Sequence, residues 1–244
     1  MPPRVSSRSM DVSARVRALD WGAIEASLGE LGYARTVAVL SPEECAALVA
    51  LYGDERRFRS RVDMARFRFG EGDYQYFADP LPDTVLAIRE TAYAPLAVIA
   101  NRWSEALGVR ERFPADLAGL LRVCARHGQK KPTPLLLHYE AGGYNCLHQD
   151  LYGDVAFPLQ ITCFLSRRGA DYDGGEFLLV EQRPRAQSRG EAIPADQGEM
   201  VIFPTRHRPA RGARGVVRVT MRHGVSRVSR GTRYTLGVIF HNAK

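Results

Sequence analysis

From residue 135 onward the chain breaks into short apolar runs at 135–139, 159–165, 176–180, 200–203, 216–221 and 234–240. None is long enough for an ordinary helix. The intervals carry Gly142-Gly143, Asp173-Gly174-Gly175, Gly198 and Gly231, residues that let a backbone reverse. Many short strands bounded by glycine turns argue against a helical bundle or a parallel α/β sheet. They predict an antiparallel sandwich or barrel of the jelly-roll type.

The first half has a different texture. Ser41-Pro42-Glu43-Glu44 reads as a capping box, with Ser41 as N-cap and proline at the first helical position, and it predicts a helix to about Tyr52. Helical spacing returns over 84–107 in Leu86, Ile88, Tyr93, Leu96, Ile99 and Trp103, with an interruption predicted at Pro95. Between these segments, residues 58–77 alternate apolar and polar around Gly70-Glu71-Gly72-Asp73, the pattern of a hairpin that would form a lid or pocket wall. A chain of 244 residues that is 45% hydrophobic can bury one substantial core. The expected architecture is therefore α+β in a single domain over 1–244. Residues 131–244 form a double-stranded β-helix (jelly-roll) core, and the helical and hairpin part, 1–130, packs on it.

The basic amino-terminal stretch lacks the apolar core of a secretory signal, and no run approaches the length of a membrane span. The expectation is a soluble, cytoplasmic protein with no membrane partner. Cys45, Cys124, Cys146 and Cys163 show no CxxC spacing, so buried free thiols are expected rather than a zinc knuckle or disulfide framework. The net charge is +7, and twelve arginines fall between residues 182 and 233. Such an excess suits either a face that attracts anions or an arginine-biased solvated surface.

The chemistry is carried by four spaced residues. In an extended segment, residues two apart point the same way, so His148 and Asp150 can address one metal ion, with His223 supplied from elsewhere in the sheet. Two imidazoles and one carboxylate on one face of an octahedral Fe(II) leave positions for a chelating co-substrate and dioxygen. Residues 229–232 read as a hairpin turn that would bring Arg233 beside His223, where its guanidinium could take the far carboxylate of 2-oxoglutarate. Tyr139 is a second candidate for that carboxylate, with Tyr144 and Asn145 behind it. His138 and His241 fit structural roles, while His207 lies in the basic 206–214 loop.

Taken together, the H-x-D after a glycine turn, the D-G-G-E turn, the later histidine and the arginine ten residues on resemble the Fe(II)/2-oxoglutarate oxygenases. More narrowly, YGDVAFPLQ (152–160), GGEFLLVEQRPRAQSR (174–189) and RHGVSRVSRGTRYTLGVIFH (222–241) resemble a bacterial branch labelled for oxidative demethylation of damaged nucleic acid. FRSRVDMARFRFGEGDYQYF (58–77) and IANRW (99–103) extend the resemblance into the first half. It implies His148, Asp150 and His223 as the catalytic metal triad, Arg233 as the co-substrate arginine, and Fe(II), 2-oxoglutarate and dioxygen as cofactors. It also implies an alkylated base in DNA or RNA as substrate. Arg183, Arg185 and Arg189 are candidates for the strand backbone, and Tyr76, with Phe67, Phe69 and Tyr74, for stacking on the base. The closing strand, Arg233-Tyr234-Thr235-Leu236-Gly237-Val238-Ile239, lacks the asparagine and second arginine of the R-x-N-x-T-x-R pattern of AlkB-type demethylases. The alternative substrate is a free amino acid, peptide or small acid.

Overall fold

All six apolar runs become strands of two facing antiparallel sheets in the computed structural model, which describes residues 11–213 and 215–244. The larger sheet has the order β1 (Ala34–Arg35), β11 (Met200–Pro204), β7 (Leu159–Phe164), β15 (Arg233–Val238), β5 (Leu135–Tyr139), β4 (Asp73–Phe77) and β2 (Phe58–Asp63). The smaller has the order β10 (Arg189–Ile193), β9 (Phe177–Gln182), β13 (Gly215–Val225), β6 (Tyr144–His148) and β3 (Gly70–Glu71), with β12 (His207–Gly212) also paired to β13. A two-stranded ribbon of β8 (Tyr172–Gly174) and β14 (Val228–Gly231) links them at one end. The basic amino-terminal residues 1–10 and Arg214 lie outside the described residues.

Period-2 alternation sorts the larger sheet's side chains between two cores. Met200 and Ile202 of β11 and Ile161 and Cys163 of β7 pack toward the helices. Their neighbours Val201, Phe203 and Phe164 face the smaller sheet, against Phe177, Leu179, Val219 and Met221.

Among the described residues five α-helices, α1 (Val12–Arg17), α2 (Trp21–Glu30), α3 (Pro42–Ala50), α4 (Asp83–Ala106) and α5 (Leu117–Arg126), precede most of the strands. At the start of α3 the capping box forms as expected: Glu44 N–H donates to Ser41 Oγ, and Ser41 N–H to the Glu44 carboxylate. Pro95 does not interrupt α4, which runs unbroken for 24 residues. A proline inside a helix costs about 3 kcal/mol. Burying Val85, Ile88, Tyr93, Leu96, Ile99 and Trp103 on both sides of it, at roughly 1.5–3 kcal/mol each, outweighs that cost.

Two hairpins expected from sequence are built differently. Strands β2 and β4 do pair, but Gly70 and Glu71 are not their turn; they form β3 and pair with Asn145 and Tyr144 of β6 in the other sheet. The 58–77 segment therefore stitches both sheets together instead of packing on them as an extension. Nor is 229–232 a turn between His223 and Arg233. Residues 228–231 are β14, which carries the chain from β13 in the smaller sheet to β15 in the larger one. Short-range turn signals do not distinguish a hairpin from a crossover between sheets, because both need the same residues that break a strand.

Candidate active site

His148 ends β6 and His223 lies opposite it on β13, as register partners whose rings are 4.2 Å apart. Asp150 follows two residues after His148 and turns its carboxylate back between them. His223 Nε2 is 3.1 Å from Asp150 Oδ2, and His148 Nε2 is 3.6 Å from Asp150 Oδ1. One donor atom from each of the three residues lies within 4.8 Å of the others, as a single metal ion would require.

Neighbouring groups prepare these donors. Nδ1 of His148 is 2.8 Å from the Cys146 carbonyl oxygen, which can only accept, so Nδ1 carries the proton and Nε2 keeps its lone pair for the cavity. Burial, and then the facing His223, hold His148 below its ordinary imidazole value and favour this neutral form. Burial alone would raise the Asp150 carboxyl, but His223, His148 and the Tyr152 hydroxyl together hold it well below the usual carboxylate range. Tyr152 donates to Asp150 Oδ1 at 2.7 Å and so fixes the carboxylate's orientation. Two imidazoles and one ionised carboxylate form a donor set suited to Fe(II) with open positions.

Arg233 lines the same cavity from the opposite sheet. It is 1% exposed, and none of its three guanidinium nitrogens has a partner. Instead the guanidinium carbon sits 5.5 Å from the ring centre of Tyr139, 5.3 Å from that of Phe164 and 5.8 Å from that of Tyr172. Space for it depends on Gly175 of the D-G-G-E turn, where φ is +60° and a Cβ would come within 2.9 Å of Arg233 Cδ. An aromatic cage offers a cation a few kcal/mol at most, whereas an unpaired buried charge costs several. The pocket thus holds a buried cation for which the protein supplies no anion.

Between triad and arginine lies a cavity of about 360 Å³. Tyr139 pairs directly with Arg233 across β5 and β15, and its hydroxyl accepts from Asn145 Nδ2 at 3.2 Å, so its own proton is free to donate. Gln160 and Thr162 also line the cavity, and Gln160 Nε2 is buried without a partner. These two, like Tyr152, stand outside the sequence motifs that mark the triad and Arg233. Their signal was a polar residue at every second position of an otherwise apolar run, 159–164, and a tyrosine two residues after the triad carboxylate.

This layout meets its counterpart in known proteins. Residues 72–243 match a family model described as an oxygenase catalysing oxidative methylation of damaged DNA. The chain belongs to that oxygenase family. An uncharacterised protein of Mycobacterium tuberculosis strain H37Rv is 46% identical over 167 residues, 68% of this oxygenase and 72% of that protein; one from strain CDC 1551 matches to the same extent. Among solved structures, a prolyl-4-hydroxylase from Pseudomonas putida aligns with TM-score 0.52 at 15% identity, over 92% of this chain and 99% of that one. A Trichoplax adhaerens prolyl hydroxylase, in complex with a peptide fragment of hypoxia inducible factor, aligns with TM-score 0.55 at 13% identity, over 95% and 92%. A 2OG-Fe(II) oxygenase family oxidoreductase from Burkholderia pseudomallei gives 0.51 at 15%, over 91% and 89%. At those identities the likeness is one of fold, and it bears out the jelly-roll expectation.

Other expectations for this oxygenase need correction. Arg183, Arg185 and Arg189 do not line the cavity. They lie at the far end of β9 and β10, where Arg183 pairs with Glu181 and Arg189 sits 3.6 Å from Glu191, because β9 runs away from the triad past Leu179, the partner of His223. Tyr76 is buried under Arg59 and edge-on to Tyr152, so it backs the triad instead of stacking on substrate. Phe69 and Tyr74 do line the cavity, while Phe67 stands exposed and stacked on Phe69 at 5.7 Å. Cys45, Cys124 and Cys163 are buried, but Cys146 is exposed on β6. His138 Nδ1 is 3.1 Å from Asp73, and His241 accepts the Phe157 N–H; both are structural contacts. Among the described residues no helix is long and apolar enough to cross a membrane.

Proposed function

We propose that this oxygenase binds Fe(II) through His148, Asp150 and His223, takes 2-oxoglutarate and dioxygen as co-substrates, and hydroxylates the N-methyl group of an alkylated base in DNA or RNA. The observation that carries the co-substrate assignment is Arg233, whose three unpartnered nitrogens are buried opposite the triad. A dicarboxylate with one end at the metal and the other at Arg233 satisfies both; the fork of the guanidinium matches a carboxylate in two parallel hydrogen bonds. Tyr139 can donate a third. When bound, Fe(II) with 2-oxoglutarate and dioxygen supplies the oxidising chemistry that turns a C–H bond into C–OH and leaves succinate and carbon dioxide.

The protein's own part is positioning and exclusion of water. Tyr152 holds the Asp150 carboxylate, the Cys146 carbonyl holds the His148 ring, and Phe177 and Phe203 flank His223. At the cavity mouth, exposed Phe67 and Phe69 beside Arg66 and Arg68 offer stacking surface and positive charge, which suits an unpaired base and its backbone. A hydroxylated N-methyl group then falls apart to formaldehyde and the free base.

The test is formaldehyde release from a panel of N-methylated single-stranded oligonucleotides, run beside succinate formation with proline-containing peptides and free amino acids. Formaldehyde from an oligonucleotide supports the reading; succinate driven only by a peptide or small acid overturns it in favour of that class. Asp150→Ala should abolish turnover together with anaerobic Fe(II) binding, and unchanged metal affinity would break the triad assignment.

A further inference from the structure

A second cavity, of about 270 Å³, opens beside the first, and Leu151, the residue after Asp150, forms part of the wall of both. Strand β11 links them too: Phe203 lines the first cavity and Thr205, just past its end, the second. The second is floored by Trp103 of α4 and rimmed by Arg206, His207 and Arg218. Arg206 and Arg218 have no side-chain hydrogen bond or ion pair among the described residues, unlike the arginines at 167, 183 and 230. Burial lowers the His207 imidazole, and the nearby Arg206 and Arg218 lower it further against a backbone hydrogen bond at Val219 that raises it. The one carboxylate on the wall, Glu111, is raised by burial alone, with no contribution from either arginine. Two guanidinium groups without an ion-pair partner among the described residues thus border a partly apolar hollow that shares Leu151 with the active-site cavity.

We infer that this second cavity is a nucleotide subsite that holds the backbone phosphate next to the target base, with Arg206 and Arg218 on the phosphate and Trp103 and Leu151 against the sugar or base. The inference rests on the nucleic-acid reading above. It replaces the sequence-nominated arginines 183, 185 and 189, which lie elsewhere, with two that border the cavity system. The strand would enter over Phe69 and Arg68, present its methylated base to the triad, and leave across Arg206 and Arg218.

The experiment is fluorescence anisotropy of a labelled ten-nucleotide methylated single strand, titrated over a range of salt with wild type, Arg206→Ala/Arg218→Ala and Arg206→Lys/Arg218→Lys. The alanine pair is expected to bind about tenfold or more weakly, with the log–log salt slope reduced by about 1.4, since each single-strand phosphate contact contributes roughly 0.7. The lysine pair should restore the slope. Both positions are exposed, so the melting temperature should stay at the wild-type value. Equal affinity and slope in wild type and the alanine pair would overturn the subsite while leaving the nucleic-acid reading intact. No binding by wild type would overturn both. Displacement of the strand by millimolar inorganic phosphate at constant ionic strength would reassign the cavity to a free anion and overturn the strand.

Discussion

Among the described residues three arginines are buried, Arg89, Arg208 and Arg233, and the surroundings of the last two could hardly differ more. At one corner Arg208, 0% exposed, donates to Glu181 and to the carbonyls of Gly29 and Pro209, tying α2 to the smaller sheet; only its Nε is left without a partner. Across the molecule Arg233, 1% exposed, has three aromatic rings around it and no partner on any nitrogen. Burial is the same in both regions, so burial cannot tell a structural cation from a binding one. The difference lies in whether the fold supplies acceptors for the guanidinium, as it also does for buried Arg89 through the carbonyls of Ile239 and Phe240. Where it does, the charge fastens two elements together; where it does not, the fold has left the place for a ligand.

That contrast can be broken by experiment. The largest effect is expected from Arg208→Met: removing one partner of a buried pair should destabilise the fold by about 3–5 kcal/mol, toward the lower end because Arg183 still bonds Glu181 at 2.6 Å. Chemical denaturation checks this, and a stability equal to wild type would mean that the corner is not fastened by charge. Arg233→Met should act in the opposite sense. Anaerobic titration should show 2-oxoglutarate binding weakened by about 2–5 kcal/mol, while the ligand-free protein is as stable as wild type or more so, because an uncompensated buried charge is gone. Saturating 2-oxoglutarate, at about a hundred times the wild-type dissociation constant, should stabilise wild type by about 2.7 kcal/mol and Arg233→Met by less than about 1 kcal/mol. A large loss of ligand-free stability in that variant would place Arg233 with Arg208 as a structural residue.

The smallest effect sharpens the comparison from the metal side. Tyr152 spends its hydroxyl proton on Asp150, a buried polar contact made within the protein but in the service of a ligand. Tyr152→Phe should lower metal affinity about 10- to 100-fold with little change in fold stability, as is usual when a partner orienting a metal-binding residue is lost. Competition for Fe(II) or Co(II) against a chromophoric chelator measures it, and an unchanged affinity would show that Asp150 is held by the two histidines alone.

Much of this was legible without coordinates, and the reasons are local. The helix at Pro42–Ala50 follows from a cap whose donors and acceptors lie within four residues. The six strands follow from apolar runs and glycine breaks. His148 and Asp150 share a side because a strand repeats every two residues. What failed involved partners distant in sequence. Pro95 locally signals a break, because the packing that outweighs its cost comes from α1, α5 and strands distant in sequence. Arg183, Arg185 and Arg189 looked like a binding cluster because nothing local shows that β9 leads away from the triad. Residues 229–232 carry the local signals of a hairpin turn, yet His223 and Arg233 reach one cavity from different sheets.

By itself, then, the sequence determined which residues could bind a metal and a dicarboxylate and what kind of fold would display them, since period, turn chemistry and ligand type are properties of short segments. Only the tertiary structure decided which buried arginine is left with no partner on any nitrogen, that Tyr152 and Gln160 line the cavity, and that Arg206 and Arg218 stand beside it. Electrostatic satisfaction is settled by what packs against a group from across the molecule, and no local pattern records it.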